Sequence, residues 1–166
     1  MLIAWSGHRP DVFRQPDAAE RLVAKLASER AAPGAEFICG GQRGVDQWAA
    51  RFARERGIPF HLVLPVDPAR FTGDWFDADR VALDELIAAA TSMEVIDERG
   101  ELGPLAYDLR NEAIVRRADA LVVVWTRIRR GGTFHTLCAA RARGLPVQKF
   151  PLEVGTGAAN VRLRGL

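Results

Sequence analysis

The sequence predicts an α/β fold in a single domain, with a doubly wound, mostly parallel sheet and helices on both of its faces. Short apolar runs alternate with amphipathic segments along the chain, and this repeated strand–helix–strand order is typical of parallel sheets. The most hydrophobic run, over 120–125, is continuous rather than alternating, as expected for a strand that is covered on both faces. The predicted arrangement is Rossmann-like, so a ligand is expected at the carboxyl ends of the strands.

Six apolar runs predict the strands. Each is bounded by glycine, proline or polar residues, which are typical of turns. In chain order the runs cover 2–5, 36–39, 59–64, 92–96, 120–125 and 146–150. Pro65 is expected to end the third strand. Because Glu94 interrupts the fourth run, that strand is expected near an edge of the sheet.

Helices are predicted where apolar residues recur at intervals of three and four. The stripes and their boundary residues place helices over 16–30, 45–57, 83–90, 104–118 and 133–143. Pro16 and Pro104 suit a first helical turn. Gly57 and Gly144 are expected to end their helices, and Thr133 to cap the last one. Residues 66–76 are predicted to be irregular.

Length and composition exclude several classes of protein. The chain has 166 residues, of which 48% are hydrophobic and 27% charged, a profile that argues against disorder and coiled coils. No apolar run approaches the ~20 residues of a membrane helix, and the N-terminus lacks the basic region of a signal peptide. Cys39 and Cys138 are too few for a disulfide framework. We therefore expect a cytoplasmic protein with reduced thiols, in which 1–150 form a nucleotide-binding domain and 151–166 a C-terminal tail.

The first candidate site follows the second predicted strand, and its residues are Gly40, Gly41, Gln42, Arg43, Gly44 and Asp46. The glycines permit a sharp turn, and the N-terminus of the following helix would stabilise a phosphate there. Arg43 could add a planar donor, while Asp46 could cap N–H groups or accept from a ribose hydroxyl. The spacing is not G-x-G-x-x-G, and the same residues also suit a plain β–α turn.

The second candidate site follows the most hydrophobic strand and opens a helix. Gly131, Gly132 and Thr133 would present N–H groups and one hydroxyl to a phosphate, and Thr136 lies one turn further on. The loop lacks the lysine and the spacing of a Walker A loop. Its alternative role is a glycine turn with a threonine cap.

Two further segments are expected beside these loops. Ser6, Gly7, His8 and Arg9 end the first strand, where Arg9 suits an anion and His8 could transfer a proton or simply form a hydrogen bond. Arg110 and Asn111 are adjacent in the helix before the most hydrophobic strand. Adjacent helical residues point about 100° apart, so both need not face one pocket.

Taken together, these blocks resemble the SLOG superfamily, which contains the DNA-processing protein DprA and the LOG phosphoribohydrolases, and within it the YpsA-like branch. The resemblance rests on Ser6 to Pro10, Ile38 to Ala50, Arg110-Asn111, Ala118 to Trp125 and Gly131 to Thr133. It implies a Rossmann-like fold with a nucleotide or nucleotide-derived ligand bound by Gly7, the 40–46 loop, Arg110, Asn111 and the 131–133 loop. Because family members often form dimers, a homodimer is expected.

One departure from the family bears on catalysis. LOG enzymes carry P-G-G-x-G-T-x-x-E, whose glutamate supports cleavage of the N-glycosidic bond. The matching stretch here, from Arg130 to Thr136, has no second Gly-Thr step and no glutamate. Asp46 or Glu112 could substitute, but no pattern places either against a ribose. The sequence therefore favours binding over hydrolysis.

The leading hypothesis is a nucleotide-binding sensor or regulatory module whose partner is a nucleotide-type small molecule, with no membrane partner. One alternative is a nucleoside 5′-monophosphate N-glycosidase of LOG type. The other is single-stranded DNA binding of DprA type through Arg127, Arg129, Arg130, Arg162 and Arg164, which a net charge of only +2 disfavours. No cofactor or metal site is implied, and Mg²⁺ is expected only if a phosphate ligand carries it in.

Overall fold

The computed structural model describes residues 1–155 and contains one sheet of six parallel strands. The strands are β1 (Leu2–Gly7), β2 (Glu36–Cys39), β3 (Phe60–Val66), β4 (Ser92–Asp97), β5 (Ala120–Trp125) and β6 (Val147–Pro151). The helices are α1 (Pro16–Arg30), α2 (Val45–Arg56), α3 (Pro68–Phe71), α4 (Asp77–Ala89), α5 (Leu105–Arg117) and α6 (Gly131–Arg143). A short 3₁₀ turn, Pro10–Val12, follows β1. The predicted α/β, Rossmann-like fold class is confirmed.

The strand order places a reversal of direction beside β1. Across the sheet the strands run β4-β3-β2-β1-β5-β6, so the chain moves outward from β1 to β4 and then returns to β5. Gly7 at the end of β1 pairs with Val124 near the end of β5. The carboxyl ends of these two strands diverge into different crossovers, which is the position where open α/β sheets bind ligands.

The two faces of the sheet are buried separately. On one face, Trp5, Phe37 and Leu62 pack beneath α1 and α2. On the other, Ala4, Ile38 and Leu121 lie beneath α5 and α6. Side chains alternate along β1 and β2, so each strand contributes to both layers, and the loops at the strand ends are held from both sides.

Three local predictions were wrong at their boundaries. Pro65 lies inside β3. The neighbouring strand β2 pairs with β3 only as far as Leu62, so β2 needs no backbone N–H from position 65. Residues 66–76 contain α3, whose first turn Asp67 caps by accepting from the N–H of Arg70 at 3.2 Å. The last helix begins at Gly131, so Thr133 is a helical residue rather than its cap.

The first residues of the predicted C-terminal tail, 151–155, have a defined structure. Pro151 belongs to β6, and Val154 forms an antiparallel bridge with Phe13 near the end of β1. The N–H of Gly155 also donates to the carbonyl of Val12 at 2.9 Å. Residues 156–166, which include Arg162 and Arg164, lie outside the described residues.

The turn before α2 generates a stability prediction. Gly44 has a φ of 90°, and a Cβ there would lie 2.4 Å from the carbonyl oxygen of His8. Gly34 has a φ of 79° but open space around it. We expect Gly34→Ala to cost about 1 kcal/mol for backbone strain alone, and Gly44→Ala about 3 kcal/mol because it adds a backbone clash. Urea denaturation measures both, and equal losses would contradict the argument.

Candidate functional site

A cavity of about 270 Å³ lies where the ends of β1, β2 and β5 meet the start of α6. We call it the switch-point cavity, because the strand order reverses direction beside it. It is lined by Ser6, Gly7, His8, Arg9, Val12, Gln42, Asp46, Tyr107, Arg110, Asn111, Arg130, Gly131, Gly132 and Thr133. Segments far apart in sequence are therefore brought together at the edge of the sheet where the fold predicts a ligand.

The N-terminus of α6 forms one wall of this cavity. Gly131, Gly132 and Thr133 line it, and no side chain caps the first turn of the helix. The first N–H groups of a helix have no carbonyl partner within the helix and carry its positive dipole end. Asn111 steadies this wall by donating to the carbonyl of Gly132 at 3.3 Å. This wall is chemically suited to an anion.

The N-terminus of α2 is occupied by groups of the protein itself. The carboxylate of Asp46 accepts the N–H of Gly40 at 2.9 Å, and the N–H of Val45 donates to the carbonyl of His8 at 3.4 Å. The N–H groups of Gly40 and Val45 are therefore already bonded within the protein. The geometry favours α6 over α2 as the anion site.

Asp46 is paired with a buried arginine. Arg110 donates from Nη1 to the carbonyl of Gly40 at 2.6 Å, and the same nitrogen lies 3.9 Å from Oδ2 of Asp46. A Cβ on Gly40 would lie 1.5 Å from that nitrogen, so any other residue here would displace the guanidinium of Arg110. Burial raises the pKa of Asp46 to about 6, while Arg110 and the N–H of Gly40 oppose the rise. Arg110 is committed to this pair and supplies little net charge to a ligand.

Several of the predicted site residues do not line the cavity. The guanidinium of Arg43 lies over the ring of Trp75, 5.5 Å from its centroid, and 3.2 Å from the carboxylate of Asp79. Thr136 is buried and donates to the carbonyl of Gly132 at 2.9 Å. Gly40, Gly41 and Gly44 support the loop by close packing instead of facing the cavity.

His8 is held as a neutral ring. Burial, together with the smaller effect of the charge of Arg9, lowers its pKa from 6.5 to about 4. Its Nδ1 lies 3.5 Å from the hydroxyl of Thr133 across the cavity. At neutral pH His8 therefore offers hydrogen bonding without charge. Positive charge at the cavity comes from the side chains of Arg9 and Arg130, both of which line it.

Tyr107 and Val12 line the cavity although no prediction named them. Tyr107 lies three residues before Arg110 and four before Asn111, so the helical period places all three on neighbouring faces of α5. That spacing is a signal that sequence reasoning could have used. Val12 belongs to the 3₁₀ turn after β1, and no local pattern identifies it.

No carboxylate of the described residues is free to assist hydrolysis in this cavity. Asp46 is the only acidic residue that lines it within 1–155, and its carboxylate is paired. Glu112 does not line it and lies 3.6 Å from Nε2 of His135. Residues 1–155 also contain no group of three His, Cys, Asp or Glu side chains that could hold a metal ion. None of their helices is long and apolar enough to cross a membrane.

Sequence comparison finds relatives among the UPF0398 proteins. The Shouchella clausii protein is 27% identical over 155 residues, which cover 86% of this chain and 80% of that protein. The Halalkalibacterium halodurans protein is 26% identical over 110 residues, which cover 64% of this chain. That match spans 58% of the relative, less than two thirds of its length. No family model matches the chain.

Structure comparison finds two DNA-processing proteins. DprA from Helicobacter pylori, described for its single-stranded DNA binding mode, superposes with a TM-score of 0.70 at 17% identity, covering 97% of this chain and 71% of that one. DprA from Streptococcus pneumoniae gives 0.65 at 20% identity and covers 95% and 53%. The predicted resemblance to the SLOG superfamily is confirmed. At these identities, the DprA structures establish the shared fold.

The buried ring of His8 generates a prediction about pH and stability. Its pKa in the fold is below its ordinary value, so the unfolded chain takes up a proton between pH 6.5 and 4 that the folded chain does not. Stability from this residue is complete above pH 6.5 and is lost as the pH falls toward 4. From pH 7 to 4.5 we expect wild type to lose about 2 kcal/mol more than His8→Gln.

Urea denaturation at the two pH values measures the difference between wild type and His8→Gln. The opposite contribution of Asp46, whose pKa is raised, is common to both proteins and cancels in the comparison. Parallel losses of stability would show that His8 is not held neutral by the fold.

Proposed function

We propose that the chain binds a nucleotide or nucleotide-derived phosphate ligand in the switch-point cavity and acts as a sensor or regulatory module, without turning the ligand over. The observation that carries this proposal is the uncapped N-terminus of α6 on the cavity wall. A phosphate there would accept from the N–H groups of Gly131, Gly132 and Thr133. A free carboxylate, which N-glycosidic cleavage would need, is lacking among the described lining residues.

Charge and hydrogen bonding around this wall support the same ligand class. Arg9 and Arg130, the second of which directly precedes α6, line the cavity and would help to neutralise a phosphate. Thr133 adds a hydroxyl, and His8 adds a neutral nitrogen that does not repel other donors. The pair of Asp46 and Arg110 adds no net charge to the cavity.

The homodimer expected from the family is part of this proposal. Sedimentation velocity would measure the mass of the protein in solution.

Calorimetric titration with nucleoside phosphates and ADP-ribose-type ligands tests the site. We expect one ligand of this class to bind the wild-type protein. The Gly132→Leu protein should bind it at least about tenfold more weakly, because the leucine Cβ would lie 3.6 Å from Asn111 and the rest of the side chain would crowd the cavity wall.

The matched control is Gly73→Leu, which adds the same side chain at an exposed glycine without a positive φ, outside the cavity. It should bind like wild type. Undiminished binding by a folded Gly132→Leu protein would exclude the N-terminus of α6 as the phosphate site.

A second candidate function is single-stranded nucleic-acid binding, which a separate groove at the sheet edge favours. This β6-edge groove, about 590 Å³ in volume, contains the aromatic rings of Trp125 and Phe134 and the cations Arg129, Arg141 and Lys149. No acidic residue lines it within 1–155. Cations beside stacking rings suit a single strand, and the fold is shared with a DprA described for that binding.

Gel-shift titration with an oligodeoxythymidylate at several salt concentrations tests this candidate. We expect the affinity to fall steeply as the salt concentration rises. The double substitution Arg129→Ala with Arg141→Ala should reduce the slope of log affinity against log salt concentration by the equivalent of about two phosphate contacts. Arg21→Ala with Arg116→Ala removes the same charge from exposed positions outside the groove and serves as the control. Absence of a shift at low salt would eliminate the candidate.

A further inference from the structure

A second compartment adjoins the switch-point cavity between α5 and α6. It has a volume of about 440 Å³ and shares with the first cavity the residues Tyr107, Arg110, Asn111, Gly131 and Gly132. The two compartments therefore share a wall at the start of α6. A ligand whose phosphate is held at Gly132 has its remaining atoms within reach of this second space.

The chemistry of the second compartment differs from that of the first. Arg9 and Arg130 line only the switch-point cavity, whereas Asp108 lines only the second compartment. The ring of His135, which also lines the second compartment, lies between two carboxylates, with Nδ1 3.4 Å from Asp108 and Nε2 3.6 Å from Glu112. Acidic groups repel a second phosphate and accept from N–H donors.

Aromatic side chains border the same space. Tyr107 and Phe134 both line it, one from α5 and the other from α6. Tyr107 is held in place by the ring of Phe71, with the two centroids 6.3 Å apart. Rings of this kind provide the apolar surface on which a planar heterocycle stacks.

We infer that the second compartment binds the base of a nucleoside monophosphate and selects a base that carries an exocyclic amino group. Asp108 accepts from that amino group, and Tyr107 and Phe134 flank the ring. This inference rests on the proposed function, since it assumes the phosphate at α6. It assigns the ligand one phosphate and places an N–H donor at the opposite end, and it excludes ligands with a second phosphate in this compartment.

Matched nucleotide pairs test the selection. GMP and IMP differ only by the 2-amino group, and CMP carries a 4-amino group where UMP carries a carbonyl. We expect the amino-bearing nucleotide of at least one pair to bind wild type about tenfold more tightly than its partner, as for a hydrogen bond to a charged acceptor. Calorimetric titration of all four nucleotides, with inorganic phosphate as a fifth probe, measures this ratio.

The isosteric substitution Asp108→Asn should reduce the ratio severalfold, because the amide keeps one acceptor oxygen but loses the negative charge that strengthens the hydrogen bond. Asp84→Asn, an exposed position on α4 outside both compartments, should leave the ratio unchanged. Melting curves check that both variants fold.

The outcomes separate this inference from the proposed function. If inorganic phosphate binds, and the affinities within each nucleotide pair differ by less than twofold, the inference is overturned while the phosphate site stays intact. A ratio that persists in Asp108→Asn would also overturn it. If neither inorganic phosphate nor any nucleotide binds wild type, the proposed function and the inference both fail.

Discussion

The buried pair of Arg110 and Asp46 is the interaction on which the candidate site depends. Arg110 comes from α5, on one face of the sheet, and Asp46 from α2, on the other. Between them lies the carbonyl of Gly40 at the end of β2, which accepts from Arg110 at 2.6 Å. The pair therefore joins the two helical layers across the sheet edge. Loss of one partner leaves an uncompensated buried charge, which typically costs about 3–5 kcal/mol.

That pair also gives the two helix N-termini at this edge different roles. Both α2 and α6 follow a glycine-bearing loop at the end of a strand, and both direct N–H groups toward the same region. At α2, the N–H of Val45 donates to the carbonyl of His8, and Asp46 accepts the N–H of Gly40 while Arg110 compensates its charge. The start of α6 has no such carboxylate and no side-chain cap. One terminus thus stabilises the fold, while the other remains suited to a ligand.

This difference marks what the sequence could and could not predict. The apolar stripe beginning at Val45 and the glycine at 57 located α2 well, because helical periodicity and end signals are local properties of the chain. The partners of Arg43 were not predictable, since Asp79 and Trp75 lie more than thirty residues away along the chain and reach Arg43 only through the packing of α4. The same holds for Asp46, whose arginine belongs to a helix on the opposite face.

The shared fold with DprA does not determine the ligand; the side chains at the strand ends do. Rossmann-like sheets supply a crevice at the reversal of strand order in many unrelated proteins, and function depends on what lines it. In this chain the crevice contains a neutral histidine, a paired arginine and exposed arginines at the rim. The adjoining compartment contains an aspartate and two rings. Charge thus differs in sign between the two adjoining compartments, which would suit a ligand that is anionic at one end and donates hydrogen bonds at the other.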